Sequence, residues 1–293
     1  MGDRGKALVP TRYQLRTGPF LISSNTPIPA DSASVRCLQS LESDLASRLD
    51  YHARPGEDPV EIYVLDDRGA FDHFLKFYYP ELPPRRAFFL AHGDRRVVYT
   101  YQSPRLDEDL RHEATHALVR GCYGDLPLWL DEGLAEYFET RTDALDAQQE
   151  HLARIPSDLK NGWVPDLPRL ESLREIHQMT PRDYRESWAW VHLMLSEGPL
   201  GTSPLIDYLE EGRGGDASRR RPLSEVLAAR GMTSKSLLAH IDAMESHVLV
   251  RKPEPPAQER LIRLQNRGPE PVVVLPPPPK PGLFRRIGTW LGF

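Results

Sequence analysis

The sequence predicts an α+β protein, a small mixed-sheet lobe followed by a mainly helical one, and three observations carry that expectation. Strand-like alternation is confined to roughly the first hundred residues. From Pro104 onward, apolar residues recur at three- to four-residue spacing almost throughout. Of the 293 residues 40% are hydrophobic and 27% charged, the balance of a chain that can bury a core.

In order, Tyr13 to Ser23 reads as a strand, and Asp31 to Tyr51 as an amphipathic helix opened by an Asp or Ser cap, with Val35, Leu38, Leu41, Leu45 and Leu49 on one face. Val60 to Leu65 reads as a second strand. Arg86 to Ala91 and Arg95 to Tyr101 form a hairpin turning at His92-Gly93-Asp94. Helices are expected at Pro104 to Arg120, with Ser103 as cap, then at Leu128 to Thr140, Leu170 to Gln178, Pro181 to Glu197, Ser203 to Glu211, Leu223 to Ala229 and Ser234 to His247. Thr142 to Pro165 is weakly patterned, with a turn signal at Asn161-Gly162, and fits either a lid or a plain surface segment. One domain therefore covers 11–250, with a sheet lobe over about 11–121 and a helical lobe over about 122–250.

Residues 251–293 form a separate tail. Ten prolines follow Val250, and eight basic side chains face three acidic ones from Arg251 onward. The run Pro276 to Pro279 favours extended polyproline II. The end, with Leu283, Phe284, Ile287, Trp290, Leu291 and Phe293 around Arg285 and Arg286, suits contact with a membrane surface or a protein, or an end that folds back.

A net charge of −5 argues against a nucleic-acid partner, and no apolar run approaches the roughly 20 residues of a membrane span. Met1 to Pro10 lacks the apolar core of a signal peptide, and two cysteines give no disulfide framework. The compartment stays undecided, cytoplasmic by default.

The chemistry concentrates in His112-Glu113-Ala114-Thr115-His116. On a helix, residues four apart lie about 40° apart around the axis, so both imidazoles reach one metal ion. Glu113, one position along, can approach an activated water as general base. Downstream, Leu126-Pro127-Leu128-Trp129-Leu130-Asp131-Glu132-Gly133-Leu134-Ala135-Glu136-Tyr137-Phe138 begins a second helix with Glu132 and Glu136 one turn apart. Two histidines and one carboxylate make a three-ligand set for catalytic zinc with a fourth position for water.

These paired motifs resemble the gluzincin metallopeptidases, the clan of thermolysin and the zinc aminopeptidases, and more closely the short bacterial peptidase-MA-like proteins of uncharacterised function. The resemblance implies a thermolysin-like core and one Zn2+ per chain held by His112, His116 and Glu132. It also implies that Glu136 supports a zinc-bound histidine. The spacer before Glu132 is shorter than in the aminopeptidases, and their Gly-x-Met-Glu-Asn stretch is absent, so exopeptidase action is not implied. Tyr184, with His192 second, is the candidate for stabilising the oxyanion, beside a reading in which that helix merely supplies core. Arg95 to Tyr101 is the expected edge strand for an extended substrate.

The expected function is zinc-dependent hydrolysis of peptide bonds in a peptide or protein substrate, with Glu113 as general base. The alternative is a catalytically silent zinc-binding module of the same kind that recognises extended peptides or envelope material.

Overall fold

The computed structural model describes residues 9–53, 56–140, 145–196, 199–213 and 220–251. The proline-rich tail, and with it the expected surface contact of its apolar end, lies outside the described residues.

The segment Tyr13 to Ser23 is two strands, β1 (Tyr13–Thr17) and β2 (Phe20–Ser24), paired as a tight antiparallel hairpin. Gly18 makes the turn at φ 51°, a left-handed conformation that costs glycine little, and alternation running on through the turn conceals it in the sequence. Helix α1 (Ala33–Leu49) is capped by Ser32, whose hydroxyl accepts from Val35 N–H. It crosses over to β3 (Val60–Leu65), which runs parallel to β2. Next comes a helix that the sequence reading lacked, α2 (Arg68–Tyr78), started by Asp67 accepting from Ala70 N–H at 2.8 Å. Phe71, Phe74 and Leu75 are its buried face.

The hairpin of β4 (Phe88–His92) and β5 (Arg95–Tyr101) follows, and the strand order is β1-β2-β3-β5-β4. This corrects the expected edge. β5 pairs in parallel with β3 on one side and antiparallel with β4 on the other, so β4 is the edge strand. β5 is buried on both faces, with Val98 in the main core and Val97, Tyr99 and Tyr101 in a second, aromatic-rich core under α2.

All further elements are helical among the described residues: α3 (Leu106–Tyr123), α4 (Leu128–Phe138), α5 (Leu145–Lys160), α6 (Leu167–Ser172), a 3-10 turn at Ile176–Gln178, α7 (Pro181–Ser196), α8 (Pro199–Glu210), α9 (Leu223–Ala229) and α10 (Ser234–Arg251). The fold is thus α+β with a five-stranded mixed sheet. Two expectations change. The helix expected over Leu170 to Gln178 is broken at Leu173, which is extended, and the weakly patterned segment holds α5, whose internal Pro156 blurs its periodicity. None of these helices is long and apolar enough to cross a membrane.

Candidate metal centre

Helix α3 carries the histidine motif between the sheet and α4. It begins at Leu106, two residues after the expected start. Ser103 Oγ accepts from Arg105 N–H ahead of the helix, and Asp107, Glu108 and Asp109 complement the dipole in its first turn. Arg111 fixes its roll. This guanidinium, 2% exposed, donates to Phe138 O at 2.6 Å, Ser40 Oγ at 2.9 Å and Asp44 Oδ2 at 2.7 Å, tying α3 to α1 and to the end of α4. β4 lies alongside. Arg86 bonds Asp109 at 2.8 Å, and the Phe89 ring lies parallel to that of His116 with centroids 6.5 Å apart. These two contacts hold β4 and the segment leading into it against α3.

Gly124, with φ 74°, closes α3, and Pro127 precedes α4, so the chain turns back. The Nε2 atoms of His112 and His116 are 3.3 Å apart, and Glu132 Oε2 is 3.9 Å from each. Ligands about 2.0–2.1 Å from a tetrahedral zinc stand about 3.3–3.4 Å from one another, so this triangle fits a zinc ion with little adjustment. Behind it, His112 Nδ1 meets Glu139 at 3.1 Å and His116 Nδ1 meets Asp131 at 3.1 Å. Each Nδ1–H directed at a carboxylate turns the Nε2 lone pair toward the shared point, the tautomer that metal ligation needs.

Electrostatics agree with the geometry. Burial opposes charge on His112, yet Glu139, Glu113 and Glu132 together push its pKa up to about 10. His116 likewise, against burial, is pushed up to about 9 by Asp131 and Glu132. Burial raises Glu132 to about 7, with the two histidines pulling the other way. The surroundings favour positive charge here, proton or metal ion.

A cavity of roughly 390 Å³ opens over the triangle, and Glu113, Glu136 and Tyr184 line it along with the edge-strand residues Ala87, Phe89 and Ala91. Tyr184 comes from α7. Its phenol is raised above the usual range by burial and then by Glu132 and Glu136, so it stays a donor. α7 approaches α4 so closely that a Cβ on Gly133 would stand 2.7 Å from Ser187 O, which explains the glycine beside Glu132.

Two expected residues are placed differently. Glu136 pairs with His151 of α5 at 3.1 Å, and the carboxylates holding the two histidines are Glu139 and Asp131 instead. Burial opposes ionisation of Glu136, but the His151 bond and the nearby histidines hold it below the usual range. His192 does not reach the cavity. Its Nδ1 meets His240 Nε2 at 2.8 Å and Ser196 Oγ at 3.1 Å, and its ring packs against Tyr137 and Trp188. It sits eight residues, about two turns, beyond Tyr184 along α7, on the side facing α10.

Glu139 had a readable signal, since Glu132, Glu136 and Glu139 at i, i+4 and i+7 make one stripe. Asp131 and His151 had none so clear. No family model matches the chain, and no curated protein matches it either.

Proposed function

We propose that this protein is a zinc-dependent metallopeptidase with a thermolysin-like gluzincin arrangement, hydrolysing peptide bonds with Glu113 as general base. The observation that carries the reading is the triangle of His112 Nε2, His116 Nε2 and Glu132 Oε2, with a carboxylate behind each imidazole. His112, His116 and Glu132 would hold the ion. Bound zinc supplies Lewis acidity, activating water and polarising a carbonyl.

The remaining roles fall to the chain's own groups. Glu113 lines the same cavity and is adjacent in sequence to a ligand, placed to take a proton from the attacking water and return it to the leaving amine. Tyr184 O–H, kept protonated by its surroundings, donates to the oxygen on which negative charge develops. β4 has no strand on its outer side among the described residues, so its backbone can pair with an extended substrate.

The test is elemental analysis of purified protein, with a cleavage screen of mixed unstructured peptides. The expected result is one zinc per chain, with Glu113→Gln keeping the metal and losing cleavage. Failure to take up zinc when it is supplied sinks the reading. Full zinc occupancy with no cleavage by the wild type favours the silent peptide-recognition module.

A further inference from the structure

The cavity over the metal centre is strongly acidic, with Glu113, Asp131, Glu132 and Glu136 on its wall, and two arginines share it. Arg120 is bonded to Asp125. Arg85 differs: among the described residues it forms no ion pair, and its recorded hydrogen bond is a long one, from Nε to Pro83 O at 3.4 Å. Its neighbour Arg86 is engaged by Asp109 and Glu108. Arg85 is only half-buried, so solvent makes up the difference in the absence of a partner.

Arg85 sits on the segment that leads into the edge strand. Phe89 and Ala91 share one face of β4, and Arg85 and Ala87, on the segment that leads into the strand, line the same cavity. Ala87 and Ala91 are small and leave space beside the strand, and Arg85 lies three residues ahead of Phe88, where β4 begins. A second, smaller cavity holds Arg85 together with His112 and Glu113, placing it on the His112 side of the metal centre. A chain lying along β4 across the triangle therefore runs toward the Arg85 guanidinium on the His112 side.

We infer that Arg85 recognises a carboxylate of the substrate near the scissile bond, either the C-terminal carboxylate or an acidic side chain, an assignment that rests on the peptidase reading. The guanidinium supplies a planar pair of donors matched to a carboxylate, and no carboxylate of the cavity takes them up. An anionic group entering this cleft meets repulsion from Glu113, Asp131, Glu132 and Glu136, and of the two arginines only Arg85 is not already paired with a carboxylate among the described residues. The selection is thus both attractive and exclusive.

The experiment uses the full chain carrying Glu113→Gln to prevent turnover, supplied with zinc, and three dansyl-labelled probes. These are Ala-Phe-Leu-Ala with a free C-terminal carboxylate, its C-terminal amide, and the amide with Glu in place of the final Ala. Dissociation constants are read by fluorescence anisotropy, and zinc content and thermal unfolding are recorded for each sample. At least one carboxylate probe should bind about tenfold tighter than the neutral amide. Which one does so tells a terminal carboxylate from an acidic side chain. Arg85→Gln should reduce that ratio to about one, and Arg85→Lys should retain part of it. Zinc uptake with equal binding of the three probes, or discrimination unchanged in folded Arg85→Gln, overturns the Arg85 assignment alone. A chain that takes up no zinc and binds none of the probes overturns both assignments.

Discussion

Two pairs of histidines meet nitrogen to nitrogen inside this protein, and their surroundings set them to opposite tasks. His112 and His116 approach at 3.3 Å, and His192 and His240 at 2.8 Å. Around the first pair stand Glu113, Asp131, Glu132 and Glu139, which drive the two imidazoles up to about 10 and 9 against the effect of burial. Around His192 stand Tyr137, Trp188 and Ser196, and burial, then His240 and Arg48, push its pKa down to about 4. Burial acts the same way on His192 as on the first pair. The carboxylates decide the difference, so a cation site is defined here by what lies behind and beside the imidazoles, not by the imidazoles themselves.

The largest effects should come from removing the groups that the first pair has and the second lacks. Glu132→Ala is expected to lose stoichiometric zinc on dialysis, whereas His192→Asn should retain it, both measured by elemental mass spectrometry. Glu113→Gln should keep zinc and lower turnover of any cleaved peptide by about 10²–10⁴-fold, the usual weight of a general base. Zinc loss in His192→Asn equal to that in Glu132→Ala would erase the contrast.

Next come the supporting carboxylates. Glu139→Gln and Asp131→Asn should each weaken zinc affinity by about 10–100-fold, read by competition with a chelating dye, because each frees one imidazole to rotate and lowers its basicity. Glu136→Gln, whose partner is His151, should matter less. The ranking inverts the reading of sequence alone, and the reason is geometric. The motif fixed which residues could share a metal, since spacing along a helix is rigid, and the triangle of His112, His116 and Glu132 was legible for that reason. Which carboxylate reaches which Nδ1 depends on how α4 is rolled and shifted against α3. That is set by the Arg111 contacts to Phe138 O and α1, and by the Gly133 approach to α7, none of which has a local signature. The same limit explains the strand order. Periodicity identified β4 and β5 but said nothing of β3 pairing with β5, and so the edge was assigned to the wrong partner of the hairpin.

The second pair is tested by pH. The folded-state pKa of His192, about 4, lies below its unfolded value of about 6.5. Between those values the unfolded chain binds more protons, so stability is undiminished above about pH 6.5 and falls as pH drops through that window. The contribution reaches about 3 kcal/mol near pH 4, at about 1.4 kcal/mol per unit. Other carboxylates titrate there too, so the informative quantity is the difference between wild type and His192→Asn, which keeps a polar atom near the Nδ1 position. Urea unfolding at pH 7 and at pH 4.5 should show the wild type losing more stability than the variant. Equal losses would mean that His192 is not held neutral.

The smallest effect should come from the packing of α4 against α7. Trp188 of α7 links His192 to the surroundings of Glu136: its ring stacks on His151, the partner of Glu136, at 4.8 Å, and tilts against His192 at 5.2 Å. Gly133 lets the helices come close enough for this, with Ser187 O 2.7 Å from where its Cβ would lie and Val191 Cγ2 3.0 Å away. Gly133→Ala gains helix propensity of up to about 1 kcal/mol but must push a backbone carbonyl aside, and overpacking of that kind costs about 1–3 kcal/mol. The net expectation is a modest loss of thermal stability. Because Glu132 is rooted on α4 and Tyr184 on α7, the same displacement should lower turnover more than zinc affinity. Zinc affinity falling as far as in Glu139→Gln would place the damage in the ligand triangle and not between the helices. Unchanged stability and turnover would mean that the glycine next to Glu132 serves no spacing role between α4 and α7.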